Sequence, residues 1–221
     1  MSVTRAVSVR DALDGARTAI AAGGSPSAQL DAELLLADAL GVGRTKLHAD
    51  PRAPVTGTAV RRFQSHVRRR SIDREPVAYI VGRRAFRALE IAVDARVLIL
   101  RPETELLVEL ALELPAGASV LDCCCGSGAV ALALADERGD LELAGSDIDP
   151  DALAVARANG ERLGRTVRWW GADLLDGLGD EFDAIVANPP YVERDVLSTL
   201  EPEVARHEPR QALDGGPDGL T

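Results

Sequence analysis

Apolar positions recur at helical spacing through residues 1–75 and at strand spacing after that. Behind Ser8-Val-Arg-Asp11, which reads as a capping box, Val9, Leu13, Ala16 and Ile20 mark one helix face, and Gly23-Gly24 closes the helix. A second helix begins near Ser27, carries Leu30, Leu34, Leu35 and Ala39, and stops at Gly41. A short turn at Thr45–His48 and a linker with Pro51 and Pro54 lead to a third helix over Thr56–Ser71, with Val60, Phe63 and Val67 on one side. These spacings predict a small helical bundle over 1–75.

From Glu75 the pattern shortens to runs at Val77–Val81, Phe86–Val93 and Val97–Leu100, which predict a hairpin connector over 76–100. Arg101-Pro-Glu-Thr-Glu105 then opens a helix, with proline and acidic residues where a first turn prefers them. Strands are expected at Ser119–Leu121, Leu141–Gly145, Val167–Trp170 and Ala184–Ala187, with helices at Ala129–Ala135 and Asp151–Leu163 between them. This alternation predicts an α/β domain over 101–221 built on a mostly parallel, doubly wound sheet.

Three strand ends carry the candidate chemistry. The first expected strand runs into Asp122-Cys-Cys-Cys-Gly126-Ser-Gly128, a glycine-containing turn that opens a helix. The second ends at Asp147, where a carboxylate suits ribose hydroxyls. The last stops at Asn188-Pro189-Pro190-Tyr191. A double proline cannot extend a sheet, so Asn188 is left in a rigid turn beyond a strand's carboxyl end. There the Asn188 side-chain oxygen and the Pro189 carbonyl can both accept from one NH2 group, while the Tyr191 ring stacks on its flat face. A lone N-P-P is as readily a plain strand-ending turn; the other two strand ends shift the balance toward a site.

Charge separates the two parts. Residues 1–80 hold 12 basic and 8 acidic side chains, net +4, and residues 81–221 hold 13 and 27, net −14. The acidic part is unsuited to gripping bare nucleic acid. Arg61, Arg62, Arg68, Arg69, Arg70 and Arg74 read first as a solvated helix face and second as a docking surface for an acidic or RNA-containing partner. The opening residues lack an apolar leader and no apolar run spans a bilayer, so a cytoplasmic protein is expected. Cys123, Cys124 and Cys125 fit neither a disulfide framework nor a metal pair and read as reduced packing residues; no metal site is expected. His48, His66 and His207 read as surface or packing histidines.

The whole chain resembles the protein glutamine N5-methyltransferases that modify peptide-chain release factors, the HemK-like group of class I S-adenosylmethionine enzymes. The resemblance rests on the helical first part, Arg74-Glu-Pro-Val-Ala-Tyr-Ile-Val-Gly82, Arg101-Pro-Glu-Thr-Glu105, the glycine turn, Asn188-Pro-Pro-Tyr191 and Glu208-Pro-Arg-Gln-Ala-Leu-Asp-Gly-Gly216. Asn-Pro-Pro-Tyr also occurs in methyltransferases of nucleobase amines; the first, second and last segments favour the protein-glutamine branch. The resemblance implies a substrate-binding helical domain and S-adenosylmethionine as cofactor. It puts Asp122, Gly126 and Gly128 at the methionine and ribose end, Asp147 on the ribose hydroxyls and Asp173 near the adenine amine. Asn188, with Pro189, Pro190 and Tyr191, would orient the substrate amide, with no side-chain general base.

The implied partner is a release factor whose GGQ-motif glutamine is methylated by a monomeric enzyme, with no membrane and no nucleic-acid substrate. The alternatives are methylation of adenine N6 or guanine N2, and a non-catalytic cofactor-binding relic. Three departures accompany the resemblance. Cys124 stands where the family has glycine, Leu100 where it has proline, and the family's sheet continues through three further strands after the position of Thr221.

Overall fold

A computed structural model describes residues 7–179 and 181–220; the residues before Val7 and Thr221, on which the expectations about a leader and the sheet's continuation fall, lie outside them. The chain divides into two compact units, Met1–Val81 and Gly82–Thr221.

The first unit contains β1 (Val7–Ser8), α1 (Val9–Ala22), α2 (Ala28–Leu40), α3 (Arg44–Ala49), β2 (Pro54–Val55), α4 (Gly57–Ser71) and α5 (Val77–Val81). Ser8 caps α1 by accepting the Asp11 N–H at 3.2 Å. β1 and β2 pair antiparallel, tying the start of α1 to the entry of α4. Helix α2 is the centre of the bundle and is buried nearly all round, its acidic positions included. Those acids are satisfied from outside the helix. Arg70 Nε donates to Asp31 at 2.7 Å, Arg62 pairs with Asp38 at 2.8 Å, and Arg44 pairs with Glu33.

The basic face of α4 is therefore partly spent inside the unit, which neither sequence reading anticipated. Removing one partner of a buried pair leaves an uncompensated charge, costing about 3–5 kcal/mol, so Arg70 belongs to the core. The run at Val77–Val81, expected as a strand, is helix α5. Pro76 pre-sets its first turn, the Pro76 carbonyl accepts the N–H groups of Tyr79 and Ile80 at 3.1 Å, and Ile80 packs into the core around α2. Packing overrides the β-propensity of Val and Ile.

The second unit opens with β3 (Arg83–Phe86) and β4 (Leu89–Ala92), an antiparallel hairpin rather than the single run expected at Phe86–Val93. The turn sits at Arg87, whose φ is +50°. Residues 97–100 form no strand; the Ile99 N–H goes to the Glu208 carboxylate instead of a ladder. After a 3-10 turn at Pro102–Thr104 come α6 (Glu105–Ala111), β5 (Ser119–Cys123), α7 (Ala129–Glu137), β6 (Glu142–Asp147), α8 (Pro150–Leu163), β7 (Arg168–Gly171), β8 (Ala184–Ala187) and α9 (Pro202–His207).

The sheet is parallel in the order β7-β6-β5-β8. Strand β5 lies inside it and is buried on both faces, with Val120, Leu121 and Cys123 as its apolar positions and Asp122 buried among them. Successive residues of β7 point to opposite faces. Trp170 accordingly joins Leu121, Cys123, Ala144 and Phe182 on one side, and Trp169 joins Cys125, Leu153 and Ala156 on the other. The chain leaves β5 toward β6 and β7, then returns to β5's other side for β8. That reversal opens a crevice at the carboxyl ends of β5 and β8, where such sheets take their ligands.

Candidate active site

A cleft open to solvent occupies the crevice, lined by Asp122 and Cys124–Ser127 at the end of β5 and beyond it, Asp147–Asp149 at the end of β6, Asn188 and Pro190 after β8, residues of the loop 96–101, and Pro209, Gln211 and Ala212. Its floor is the turn after β5. Asp122 is 4% exposed, and its carboxylate accepts the Ala131 N–H at 3.1 Å, capping the start of α7. Burial pushes its pKa up to about 7, with the neighbouring Cys123 and Asp147 adding to the rise and the Ala131 N–H opposing it.

Asp147, at the end of β6, accepts from the Gly126 N–H at 2.9 Å and the Asp149 N–H at 3.0 Å. Burial raises its pKa too, against those backbone donors. Among the described residues neither Asp122 nor Asp147 forms an ion pair, although two arginines line the cleft. Arg96 is held by Asp94 at 2.7 Å and Arg101 by Glu208 at 2.7 Å. The cleft thus presents two un-neutralised carboxylates. Ser127 adds a buried hydroxyl with no hydrogen-bond partner among the described residues.

The cysteines divide between two roles. Cys123 is buried behind the cleft and Cys125, also buried, borders it, whereas the half-buried Cys124 lines it with its side chain least covered. Its φ of +58° lies in the left-handed region that favours glycine. The Cys123 thiol donates to the Leu174 carbonyl at 3.7 Å. The neighbouring Cys124 side chain holds the Cys123 pKa below the usual thiol range, and Cys123 together with burial drives that of Cys124 up. Burial raises Cys125.

Of the residues singled out from the sequence, Asp122, Gly126, Asp147, Asn188 and Pro190 meet at the cleft wall. Gly128, Asp173, Pro189 and Tyr191 do not line it. Gly128 has φ +77° and is pressed against the Trp169 ring, so its smallness serves packing. Asp173 is exposed beyond β7, and Tyr191 is 67% exposed just past the proline turn. Sequence reasoning missed Ser127, Asp149 and the whole 209–212 wall. The signal for that wall was the segment Glu208–Gly216, which carried part of the family resemblance but to which no site role was given. His66 is buried against the Leu35 carbonyl in the first unit, a packing role. No group of three or more His, Cys, Asp or Glu able to hold a metal occurs among the described residues.

The chain matches the family model of the PrmC N-terminal domain over residues 11–82 and that of the methyltransferase small domain over residues 100–208. It is 42% identical over 214 residues to the release factor glutamine methyltransferase of Geobacter sulfurreducens, which spans 96% of this chain and 75% of that one. The chain belongs to the release factor glutamine methyltransferase family. The family's Caulobacter vibrioides member is 43% identical over 86% of this chain and 68% of its own. A solved Pyrococcus abyssi tRNA (uracil-54, C5)-methyltransferase superposes with a TM-score of 0.43 and 21% identity, over 58% of this chain and 31% of its own, too little to argue from.

The cofactor of this release factor glutamine methyltransferase family member is S-adenosylmethionine. The cleft fits it. Two unpaired carboxylates suit a ligand that carries cationic and hydroxyl groups, and the Ser127 hydroxyl awaits a partner. Gly126, with φ +53° and open space where a Cβ would stand, lets the backbone be approached closely.

Proposed function

We propose that this protein transfers a methyl group to the side-chain amide nitrogen of a glutamine in a peptide-chain release factor, most simply the glutamine of its GGQ motif. The carrying observation is the convergence of Asn188 with the Asp122 and Asp147 carboxylates in one cleft at the switch point of the sheet.

When bound, S-adenosylmethionine supplies the activated methyl. Asp147 would hold its ribose hydroxyls, Asp122 and Gly126 its methionine and ribose end, and Asp173, beyond β7, its adenine amine. Gly128 acts behind this set, through Trp169. The remaining work falls to the turn after β8. An amide nitrogen is a weak nucleophile because its lone pair is delocalised into the carbonyl. Asn188 Oδ1 and the Pro189 carbonyl accept its two hydrogens, orient the nitrogen and return electron density to it as the new bond forms. Tyr191 offers an exposed ring for the flat amide, and Pro190 walls off water from the reacting atoms. Catalysis is positioning and desolvation, with no side-chain general base: as the N–CH3 bond forms the C–S bond to the methyl breaks, and the displaced N–H proton passes to solvent.

The acidic balance of 81–221 supports a protein substrate over nucleic acid, and the helical first unit is the part proposed to engage it. No helix of the described residues is long and apolar enough to cross a membrane. The test is calorimetric titration of S-adenosylmethionine into the protein, followed in the same sample by methyl transfer to a purified release factor. Binding with transfer is expected. Binding with no transfer to a release factor would overturn the assignment, and transfer to an oligonucleotide would favour the nucleobase reading. In the same assay Asn188→Ala abolishes turnover and leaves cofactor affinity within about three-fold.

A further inference from the structure

The wall formed by Pro209, Gln211 and Ala212 begins at a buried carboxylate. The Glu208 side chain is 1% exposed, and a lone charge at that depth costs several kcal/mol. It is satisfied twice over. Arg101 Nη2 donates to one oxygen at 2.7 Å and the Ile99 N–H to the other at 3.2 Å. Both donors belong to the segment 96–101 that helps line the cleft, so this one side chain ties the strap, residues 208–219, to 99–101.

Beyond the cleft wall the strap reaches the substrate turn. The Val192 N–H donates to the Leu213 carbonyl at 3.0 Å, the Gly215 N–H to the Val192 carbonyl at 2.9 Å, and the Arg194 N–H to the Gly216 carbonyl at 2.9 Å. A Cβ at Gly215 would stand 2.9 Å from the Pro190 carbonyl, and one at Gly219 would stand 2.6 Å from that of Tyr191. The backbone of Pro190–Arg194 therefore lies directly against the strap. Strand β8 fixes the Asn-Pro-Pro-Tyr turn from its entry side, and the strap fixes its exit.

Replacing a buried ion pair by apolar side chains is often neutral or stabilising. Glu208 is held at this depth although Arg101 is itself 35% exposed, and a buried carboxylate so held is better explained by position than by stability. We infer that Glu208 is a positioning residue: its bridge to Arg101 and Ile99 sets the strap, and the strap holds Asn188 and the Pro189 carbonyl where the substrate amide must meet them. This rests on the methyl-transfer reading above, but one of its readouts does not depend on turnover.

The test compares Glu208→Gln with wild type, because glutamine keeps the volume and an acceptor for Ile99 while removing the charge that Arg101 pairs with. Amide exchange at Val192 and Arg194 is expected to accelerate about ten-fold while Leu121 and Ala144 in the sheet stay unchanged. S-adenosylmethionine affinity stays within about three-fold while kcat on the release factor falls at least about ten-fold. Unchanged exchange at Val192 and Arg194 would overturn the inference. So would loss of cofactor affinity and of sheet protection in parallel with activity, which marks a general structural role. If the wild-type protein methylates no release factor, the function assignment fails and the exchange measurement still decides the strap. Should Glu208→Gln not fold, Glu208→Asp, which keeps the charge on a shorter arm, is decided on the same exchange readout.

Discussion

The Gly126 backbone N–H donates to Asp147 Oδ2 at 2.9 Å, joining the turn after β5 to the end of β6. The second oxygen of the same carboxylate takes the Asp149 N–H at the start of α8. One side chain thus shapes two of the turns that line the cleft and still offers lone pairs to it. Hydrogen bonds to a charged group contribute about 1.5–3 kcal/mol each. Asp147→Ala is therefore expected to weaken S-adenosylmethionine binding by about ten- to a hundred-fold, and Asp147→Asn by less because one oxygen remains. Calorimetry of both variants beside Asn188→Ala checks the division of labour. Equal cofactor affinity in Asp147→Ala and wild type would remove Asp147 from the cofactor site.

Asp122 predicts a pH dependence. Its carboxyl titrates near 7 in the folded protein because burial disfavours the charge, against an ordinary value of about 3.9 when unfolded. A raised folded pKa means that the neutral form favours folding. This contribution is complete below about pH 4 and is lost as pH rises through about 7. The ligand-free protein should lose stability between about pH 5 and pH 8, and Asp122→Asn, neutral throughout, should lose less over that window. Denaturant titrations at the two pH values measure it; identical slopes with pH in the two proteins would show that Asp122 is already ionised.

The cysteine at 124 carries strain that a glycine would not. A left-handed conformation costs an L-residue about 1–2 kcal/mol, while glycine there loses more backbone entropy on folding. Cys124→Gly also gives up the side-chain contact with the neighbouring Cys123 thiol. The balance is expected to be a stabilisation of about 0.5–1 kcal/mol, read as a rise in melting temperature of about 1–4 °C. Cofactor affinity should hold or improve as the side chain leaves the cleft. A lower melting temperature would mean that the thiol pair stabilises the turn more than the backbone strain opposes it.

How much of this could be read in advance depended on the range of the forces involved. The β5–α7–β6–α8 run was legible because parallel strands buried on both faces are unbroken apolar runs, and glycine or proline marks their ends. Asp147 and Asn188 followed from strand-end position, whereas the role of Asp122 came with the family resemblance. A hairpin was expected over 76–100, but the place of its turn was hidden inside the run Phe86–Val93, because the turn uses Arg87 at a positive φ, with no glycine to announce it. Helix α5 took its form from packing in the core around α2, and the burial of Asp31, Glu33 and Asp38 depends on arginines distant in sequence. Residues 97–100 looked like a strand because nothing local shows that Glu208 takes the Ile99 N–H. Which glycine of the turn faces the cleft was equally hidden, since Trp169 decides it.

That last point gives the sharpest stability test. At Gly128 an added Cβ would stand 2.6 Å from the Trp169 ring and 3.1 Å from the Ala156 methyl, on a backbone with φ +77°. The indole is itself packed with Cys125, Leu153 and Ala156, so it has little room to retreat. Strain of about 1–2 kcal/mol from the backbone adds to overpacking of about 1–3 kcal/mol. Gly128→Ala should therefore destabilise the fold by about 2–5 kcal/mol and shift the tryptophan fluorescence. Gly126→Ala meets no atom within 4 Å and carries the backbone term alone, so it should cost stability less and cofactor affinity more. Denaturant unfolding and calorimetry on the two variants separate the roles. If Gly128→Ala kept full stability and lost only cofactor binding, Gly128 would belong to the cleft and not to the packing behind it.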